Sequence, residues 1–394
     1  MGVSFMAGVI GDGVVVVGCQ GLESATEVAV WWKALSAAEK QDLIAHHPEM
    51  IGNLNGVDMA SRDQANRILL PQKISQAEAK VQALRATFKM NPSEYYRHDR
   101  VPKSKVAVNS ELEWEEKRLA DLKAVRSTLE ENEKDRQSDP SIPRRGLVYM
   151  DDSKKDDRVK VAISTGDVDH AKHVSTILPG MNNVPSEDIK DHVKNAELVN
   201  KHAADNAHIS QDQVATIAWM YDTPQGGQVV SSKYATKASH EIGSALEGMH
   251  AFRHTNGIER AHTSLLGHSY GSTTAGKVAK MVRKGVLDDL VMYGSPGAGA
   301  HDAREYNLDH GRPYVSGIKS DDAVKGKGTL NSKFGNNPMF MPGVKHLANN
   351  SERDRSFFIP WKMFDRHSEY LEEGTSSLED ISRVVTNVPV KGEK

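Results

Sequence analysis

Cysteine, long apolar runs and a strong excess of either charge are all missing from this chain of 394 residues. Its one cysteine, Cys19, excludes an intrachain disulfide framework and a zinc site built from several cysteines. No stretch of 18 residues lacks a charged side chain, so we expect no transmembrane helix. Fifty basic and 53 acidic residues leave a net charge of −3, which gives no electrostatic reason to expect nucleic acid as a partner.

Basic residues are also missing from the start of the chain, where the first is Lys33. A general secretion signal begins with a basic segment, so we expect no such signal here. The default expectation is a cytoplasmic protein, with export by a route that needs no general signal left open.

Short apolar runs with strand-like composition recur after residue 140 and alternate with segments of helical character. The runs are Leu147–Met150, Val159–Ser164, Val174–Leu178, Val214–Trp219, Thr263–Leu266, Leu290–Tyr293 and Tyr314–Ile318. Strands that alternate with helices predict a mostly parallel sheet covered on both faces. We therefore expect one α/β domain over residues 141–394.

The first 140 residues are predicted to be helical. Residues 1–70 are expected to form short helices packed on the core, two of them within 26–46 and one at Ala60–Leu70. Residues 71–140 have a different character, because apolar residues at helical spacing in 72–136 alternate with many charges. They predict a charged two-helix hairpin, which either packs on its own protein or serves as a partner-binding arm.

One motif indicates chemistry. Gly267-His268-Ser269-Tyr270-Gly271 matches G-x-S-x-G, follows the apolar run Thr263–Leu266 and precedes a helical segment. A strand, a sharp turn and a helix form the setting of a nucleophile elbow, in which the flanking glycines avoid steric clashes. The alternative is a glycine-rich turn with an incidental serine. The context favours Ser269 as a nucleophile.

A serine hydroxyl needs a base and an orienting acid, which follow the serine in chain order where such an elbow is used. Asp321 and Asp322 come after the run that ends at Ile318, and either is a candidate for the acid. His346 and His367 are the late histidines, and His367 is favoured because it precedes an apparent terminal helix.

Two backbone N–H groups are needed to stabilise an oxyanion. The first is expected from Tyr270, the residue after the nucleophile. The second is expected from Met181, in the turn Pro179-Gly180-Met181 that follows a predicted strand. An ordinary Pro-Gly turn is the alternative for that segment.

Other chemistries find little support. No phosphate-binding G-x-x-x-x-G-K-[ST] motif is present, and His240-Glu241 lacks a second histidine because Ser244 stands in its place. Asp167, Asp169, His170 and His173 could bind a metal, but a solvated polar loop fits them better. We expect no cofactor and no metal.

Taken together, these features resemble a family of largely uncharacterised actinobacterial α/β hydrolases, often found near or fused to WXG-type helical secretion proteins. The resemblance spans most of the chain. The residues that carry it are Trp31-Trp32, Leu35, Leu43-Ile44, His47-Pro48, Ile51-Gly52-Asn53, Gly56, Leu178-Pro179-Gly180, Trp219, Tyr221-Asp222, Pro224, Gly267–Gly271, Tyr293-Gly294-Ser295-Pro296-Gly297, His367-Ser368-Glu369-Tyr370, Gly374 and Leu378.

The resemblance implies the α/β-hydrolase fold, with Ser269 as nucleophile and His367 as base. Relatives place the acid in an Asp-Pro-Val-like step, and the match Asp322-Ala323-Val324 favours Asp322 over Asp321 although the proline is absent. The expected activity is a serine hydrolase of the esterase or lipase kind, and the actinobacterial context implies lipid or cell-envelope esters.

A second hypothesis treats the hydrolase domain as a scaffold in a secretion-associated protein, with the 72–136 hairpin as its binding arm. The pattern Tyr95–Asp99 is similar to the export tag of WXG-type secretion substrates. A serine, an acid and a histidine in the expected order argue against an inactive scaffold.

Overall fold

The structure is a computed structural model that describes residues 8–9, 14–15, 24–89, 103–154, 156–309, 311–317, 332–348 and 370–391. Cys19, Tyr95–Asp99, Asp321, Asp322 and His367 lie outside these ranges. A short antiparallel pair, β1 (Gly8–Val9) and β2 (Val14–Val15), comes first.

Eight further strands form one sheet. They are β3 (Arg145–Asp151), β4 (Lys160–Thr165), β5 (His173–Leu178), β6 (Val214–Met220), β7 (His262–His268), β8 (Asp289–Tyr293), β9 (Pro313–Ser316) and β10 (Lys345–His346). Their order across the sheet is β10-β9-β8-β7-β5-β6-β4-β3. Only β4 runs against the direction of the others, since it is antiparallel to both of its neighbours, β6 and β3. The carboxyl ends of β5 to β10 therefore share one edge, which we call the carboxyl edge.

Helices cover both faces of this sheet. They are α1 (Ala25–Ala34), α2 (Ala37–His46), α3 (Pro48–Ile51), α4 (Met59–Lys89), α5 (Lys103–Ser138), α6 (Pro185–Ala207), α7 (Lys233–Asn256), α8 (Tyr270–Met281) and α9 (Ser376–Val385). Helices α7 and α8 pack in the core on one face, and α5, α6 and α9 pack in the core on the other. Among the helices that the structure describes, none has the length and apolar character needed to cross a membrane.

The N-terminal helices close one edge of the sheet. Asp63 of α4 accepts a hydrogen bond from the Leu147 N–H at 2.6 Å, and Asn66 donates to the Leu147 carbonyl at 3.0 Å. Asn53, in the turn before α4, bonds both backbone groups of Met150. An uncovered edge strand would offer these groups to another chain, so α4 and its preceding turn serve as the missing neighbour of β3.

The described parts of the hairpin pack on the chain's own domain. The Trp114 indole of α5 donates to the Asp156 carbonyl at 3.1 Å, and Arg118 binds the Asp152 carboxylate at 2.6 Å. Asp121, fully buried, forms an ion pair with Arg158 and accepts from the Ser186 N–H at 3.0 Å, in the first turn of α6. These contacts make α5 a support for the region where α6 begins.

The predicted strands and helices agree closely with the described ones, and the mostly parallel α/β architecture is confirmed. One helix differs from the prediction. The two helices expected on either side of residue 71 form a single helix, α4, which continues through Pro71. The division of the chain into 1–70, 71–140 and 141–394 stays a prediction.

Candidate active site

Ser269 lies at the carboxyl edge, in the step between β7 and α8. Its backbone has φ +50° and ψ −124°, in a region that non-glycine residues rarely adopt. A residue held in such a conformation costs about 1–3 kcal/mol, which the surrounding contacts must offset. One of these contacts is a 2.9 Å hydrogen bond from the Ser269 N–H to the Tyr293 carbonyl on β8. This geometry matches the one that a nucleophile elbow requires.

The two glycines of the motif permit this turn. A Cβ atom on Gly267 would lie 2.6 Å from the Gly271 oxygen, and a Cβ atom on Gly271 would lie 2.5 Å from the Pro179 oxygen. Both distances are too short for a real contact with rigid backbone atoms. The motif therefore needs glycine at both ends because other backbone segments pack directly against it.

Buried hydroxyl groups form hydrogen bonds between the elbow and the loop after β8. Ser272 Oγ lies 2.6 Å from the Ser269 carbonyl oxygen and 2.6 Å from Ser295 Oγ. Thr273 Oγ1 donates to the Gly297 carbonyl at 2.8 Å. The first turn of α8 is thereby tied to the loop that follows β8, which fixes the position of the serine backbone.

The turn Pro179-Gly180-Met181 follows β5 and passes beside the serine. A Cβ atom on Gly180 would lie 2.9 Å from Ser269 Cβ and 3.4 Å from its Oγ. Within the described ranges, neither the Met181 N–H nor the Tyr270 N–H donates to another group of the protein. Two N–H groups without an acceptor among the described residues, one from this turn and one from the elbow, match the chemistry of an oxyanion hole.

Aromatic side chains pack in the core next to the elbow. The rings of His268 and Tyr293 stack with centroids 5.2 Å apart, and Tyr370 lies 6.0 Å from His268 and 5.6 Å from Tyr293. Burial raises the pKa of Tyr293 far above its ordinary value, so its hydroxyl stays neutral. Tyr293 and Tyr370 are almost fully buried, so these two rings stabilise the core beside the elbow.

His346 is described and lies away from the serine. It pairs with Val315, which pairs with Met292, which in turn pairs with Gly267. Three strand spacings separate His346 from Gly267, a distance of about 14 Å. An imidazole there is too far from Ser269 to accept its proton, so this register favours His367 of the two predicted histidines.

Asp167 and Asp169, in the polar segment 167–173, form hydrogen bonds within the fold. Asp169 accepts from the N–H groups of Met59 and Ala60 at 2.9 and 3.0 Å, which caps the start of α4. Asp167 bonds the His170 ring at 2.9 Å. No group of three metal-ligating side chains occurs in the part of the chain that the structure describes.

The sequence analysis gave no role to Asp222, a buried carboxyl group at the same edge. Asp222 follows β6 and is 8% exposed, and its Oδ1 has no hydrogen-bond partner among the described residues. Nearby Lys160 is already paired with Asp151, Asp156 and Glu241. Burial, and then repulsion by Asp157, raises the pKa of Asp222 to about 6 from its ordinary 3.8, although Lys160 opposes the rise. Its position directly after a predicted strand is the sequence signal that could have marked Asp222 as a candidate site residue.

Asp222 should make stability depend on pH. Because its pKa in the folded protein is raised to about 6, its contribution to the free energy of unfolding is complete below about pH 4 and lost as pH rises through 6. Relative to Asp222→Asn, the natural protein should lose about 1 kcal/mol between pH 5 and pH 7.5. Urea unfolding of both proteins at the two pH values measures this loss. If the difference in free energy of unfolding between the two proteins is the same at both pH values, the prediction is wrong.

Gly180→Ala should block the elbow. The added methyl group would press on Ser269 Cβ, so reaction of the serine with a fluorophosphonate should slow by about 100-fold or more while the fold is kept. Gly227→Ala is the matched control, because its methyl group meets nothing within 4 Å. Equal labelling rates for the two variants would refute the close approach of this turn.

The comparisons with known proteins agree with this architecture. Residues 154–332 match a family model described as alpha/beta hydrolase, a range that contains Met181, Ser269 and Tyr270. An uncharacterised protein of Mycobacterium tuberculosis is 30% identical over 324 residues, which cover 78% of this chain and 45% of that protein. The chain thus spans less than half of that relative. An uncharacterised protein of Mycobacterium bovis is 29% identical over 242 residues, or 59% of this chain and 84% of its own length.

Among solved structures, the dienelactone hydrolase of Anabaena variabilis has 11% identity and a TM-score of 0.35, covering 62% of this chain and 96% of its own. That score is too low to support an argument about this chain. The strand order, with its antiparallel β4, and the family match identify the fold directly. The chain contains a domain of the α/β-hydrolase fold.

Proposed function

We propose that the protein is a serine hydrolase that cleaves carboxylic esters through an acyl-enzyme. The observation that carries this proposal is the conformation of Ser269, a non-glycine residue held at φ +50° beside two N–H groups that have no acceptor among the described residues. Such strain is expected where a side chain must be presented to a reacting group.

His367 is proposed as the base. It precedes Tyr370 by three residues, and three residues span at most about 11 Å. Tyr370 is fully buried, and its ring contacts His268, the neighbour of Ser269. This short chain distance to a buried neighbour of the elbow supports His367 as the base.

Asp322 is proposed as the acid that orients the imidazole. It lies five residues beyond Gly317, which directly follows β9 at the carboxyl edge. Asp321 is the alternative from the same loop. The resemblance favours Asp322, through its match to the acid-containing step of relatives.

The proposed reaction proceeds in two halves. Ser269 Oγ attacks the ester carbonyl carbon while His367 takes the hydroxyl proton, and the N–H groups of Tyr270 and Met181 stabilise the oxyanion. The ester C–O bond then breaks, and His367 gives its proton to the leaving alcohol. Water, deprotonated by His367, cleaves the acyl-enzyme in the same way and restores the serine.

The resemblance to actinobacterial hydrolases supports a proposal for the substrate class. We propose lipid or cell-envelope esters as the substrates.

The scaffold hypothesis has less support. Trp114, Arg118 and Asp121 of α5 are engaged with the chain's own domain and not free for a partner. A supporting role for the hairpin accounts for these contacts without a further protein.

Labelling with a fluorophosphonate tests the nucleophile. The natural protein should gain one adduct in its intact mass, and Ser269→Ala should gain none while it keeps its circular dichroism spectrum. Ser127→Ala, which changes an exposed serine of α5, is the control and should be labelled normally. An unlabelled natural protein, or a labelled Ser269→Ala variant, would refute the proposal.

A pair of neighbouring variants tests the acid. Asp322→Asn should lower kcat for a p-nitrophenyl ester by roughly 100-fold or more, because the imidazole loses its orienting charge. Asp321→Asn should stay within about twofold of the natural protein, since it removes no group that the proposed reaction uses. The reverse result would assign the role to Asp321, and no effect from either would remove the acid from this loop.

A further inference from the structure

The N–H of Met181 belongs to the peptide unit between Gly180 and Met181, and the two adjoining peptide units are each anchored. On one side, the Pro179 carbonyl accepts a 3.1 Å hydrogen bond from the Tyr221 hydroxyl. On the other side, the Asn182 N–H donates to the Pro224 carbonyl at 3.0 Å. Both anchors come from the segment that follows β6.

Tyr221 is held firmly enough to act as an anchor. Its side chain is 2% exposed, and its hydroxyl also accepts from Thr274 Oγ1 of α8 at 3.2 Å. The Pro179 carbonyl that it bonds lies against Gly271, where an added Cβ atom would come within 2.5 Å. The carbonyl is thus fixed between the phenol and the elbow.

The same segment makes further bonds to the turn. The Thr223 hydroxyl, which is buried, donates to the Asn183 carbonyl at 2.7 Å, and the Gly226 N–H donates to the Asn182 side chain at 2.8 Å. Asn182 itself has φ +61°, a left-handed conformation that such bonds can stabilise. Without them, Gly180 would leave the central peptide unit free to rotate, since it has no Cβ atom to restrict it.

We propose that the segment Tyr221–Pro224 sets the direction of the Met181 N–H, and that Tyr221 is a positioning residue for the oxyanion. The inference rests on the proposed function, because the N–H acts only if Ser269 attacks a carbonyl. Tyr221 touches neither substrate nor the serine. It acts through the Pro179 carbonyl and the peptide unit that follows.

The test compares Tyr221→Phe with Tyr306→Phe. Tyr306 is the matched control, because it is a buried tyrosine whose hydroxyl donates to a backbone carbonyl, that of Ala298, outside the turn. Tyr221→Phe should lower kcat for a p-nitrophenyl ester by about 10-fold with KM within twofold, and weaken inhibition by an alkyl boronic acid by a similar factor. Tyr306→Phe should change neither value by more than about twofold. A kcat for Tyr221→Phe equal to that of the control would overturn the inference.

Amide hydrogen exchange gives a readout that does not need activity. Exchange in a peptide covering 179–184 should be faster in Tyr221→Phe than in the natural protein, and unchanged in Tyr306→Phe. Unchanged exchange in Tyr221→Phe would overturn the inference even in an active enzyme. If the natural protein shows no fluorophosphonate adduct, the proposed function fails, and the exchange rates still decide whether Tyr221 holds the turn.

Discussion

The backbone of Ser269 is the constraint on which the neighbouring structure depends. A non-glycine residue at positive φ is unfavourable, so this turn is stable only because the surrounding contacts favour it over other conformations. Gly267 and Gly271 admit other backbone segments at distances where a Cβ atom could not fit. The Ser272 hydroxyl then lies within hydrogen-bond distance of the Ser269 carbonyl and of Ser295 Oγ. The local strain is thereby offset by packing spread over three loops.

The parallel arrangement of β5 to β10 brings those loops together. Because carboxyl ends of parallel strands share an edge, the turn after β5, the segment after β6 and the elbow after β7 become neighbours although they are far apart in sequence. Hydrogen bonds between Tyr221 and Pro179, and between Thr223 and Asn183, follow from that adjacency. The site is therefore a property of strand order as much as of the serine motif.

Much of this architecture could be predicted from the chain, and the exceptions have physical reasons. The seven predicted strands are buried apolar runs, which hydrophobic patterning detects well. Strand β10 escaped prediction because it is two polar residues long, Lys345 and His346, and owes its conformation to pairing with β9. Helix α4 continues through Pro71 because Leu70 and Ile74, on either side, are both buried in the same core. Tertiary packing there outweighs the local preference of proline.

The residues of the candidate site also divide into those that sequence patterns indicate and those that depend on tertiary structure. Ser269 and the turn at Met181 could be proposed because each directly follows a predicted strand, which is a pattern that the sequence carries. The role proposed for Tyr221 could not be read in that way, since it depends on where β6 lies relative to β5. Asp222 was given no role for a related reason, because Asp157, Lys160 and Glu241, which act on its charge, lie on other parts of the chain. The roles of Tyr221 and Asp222 depend on the order of the strands in space, which the sequence encodes only indirectly.

The closing of β3 by α4 has a consequence for how the chain can be divided. The family match begins at residue 154, after β3 has ended. The backbone groups of β3, however, form hydrogen bonds with Asp63, Asn66 and Asn53, which all precede the match. A fragment cut at the start of the match would lack an entire strand, and one cut just before β3 would expose its bare edge. A fragment that keeps both β3 and the cover of its edge therefore begins before Asn53, well ahead of the family match.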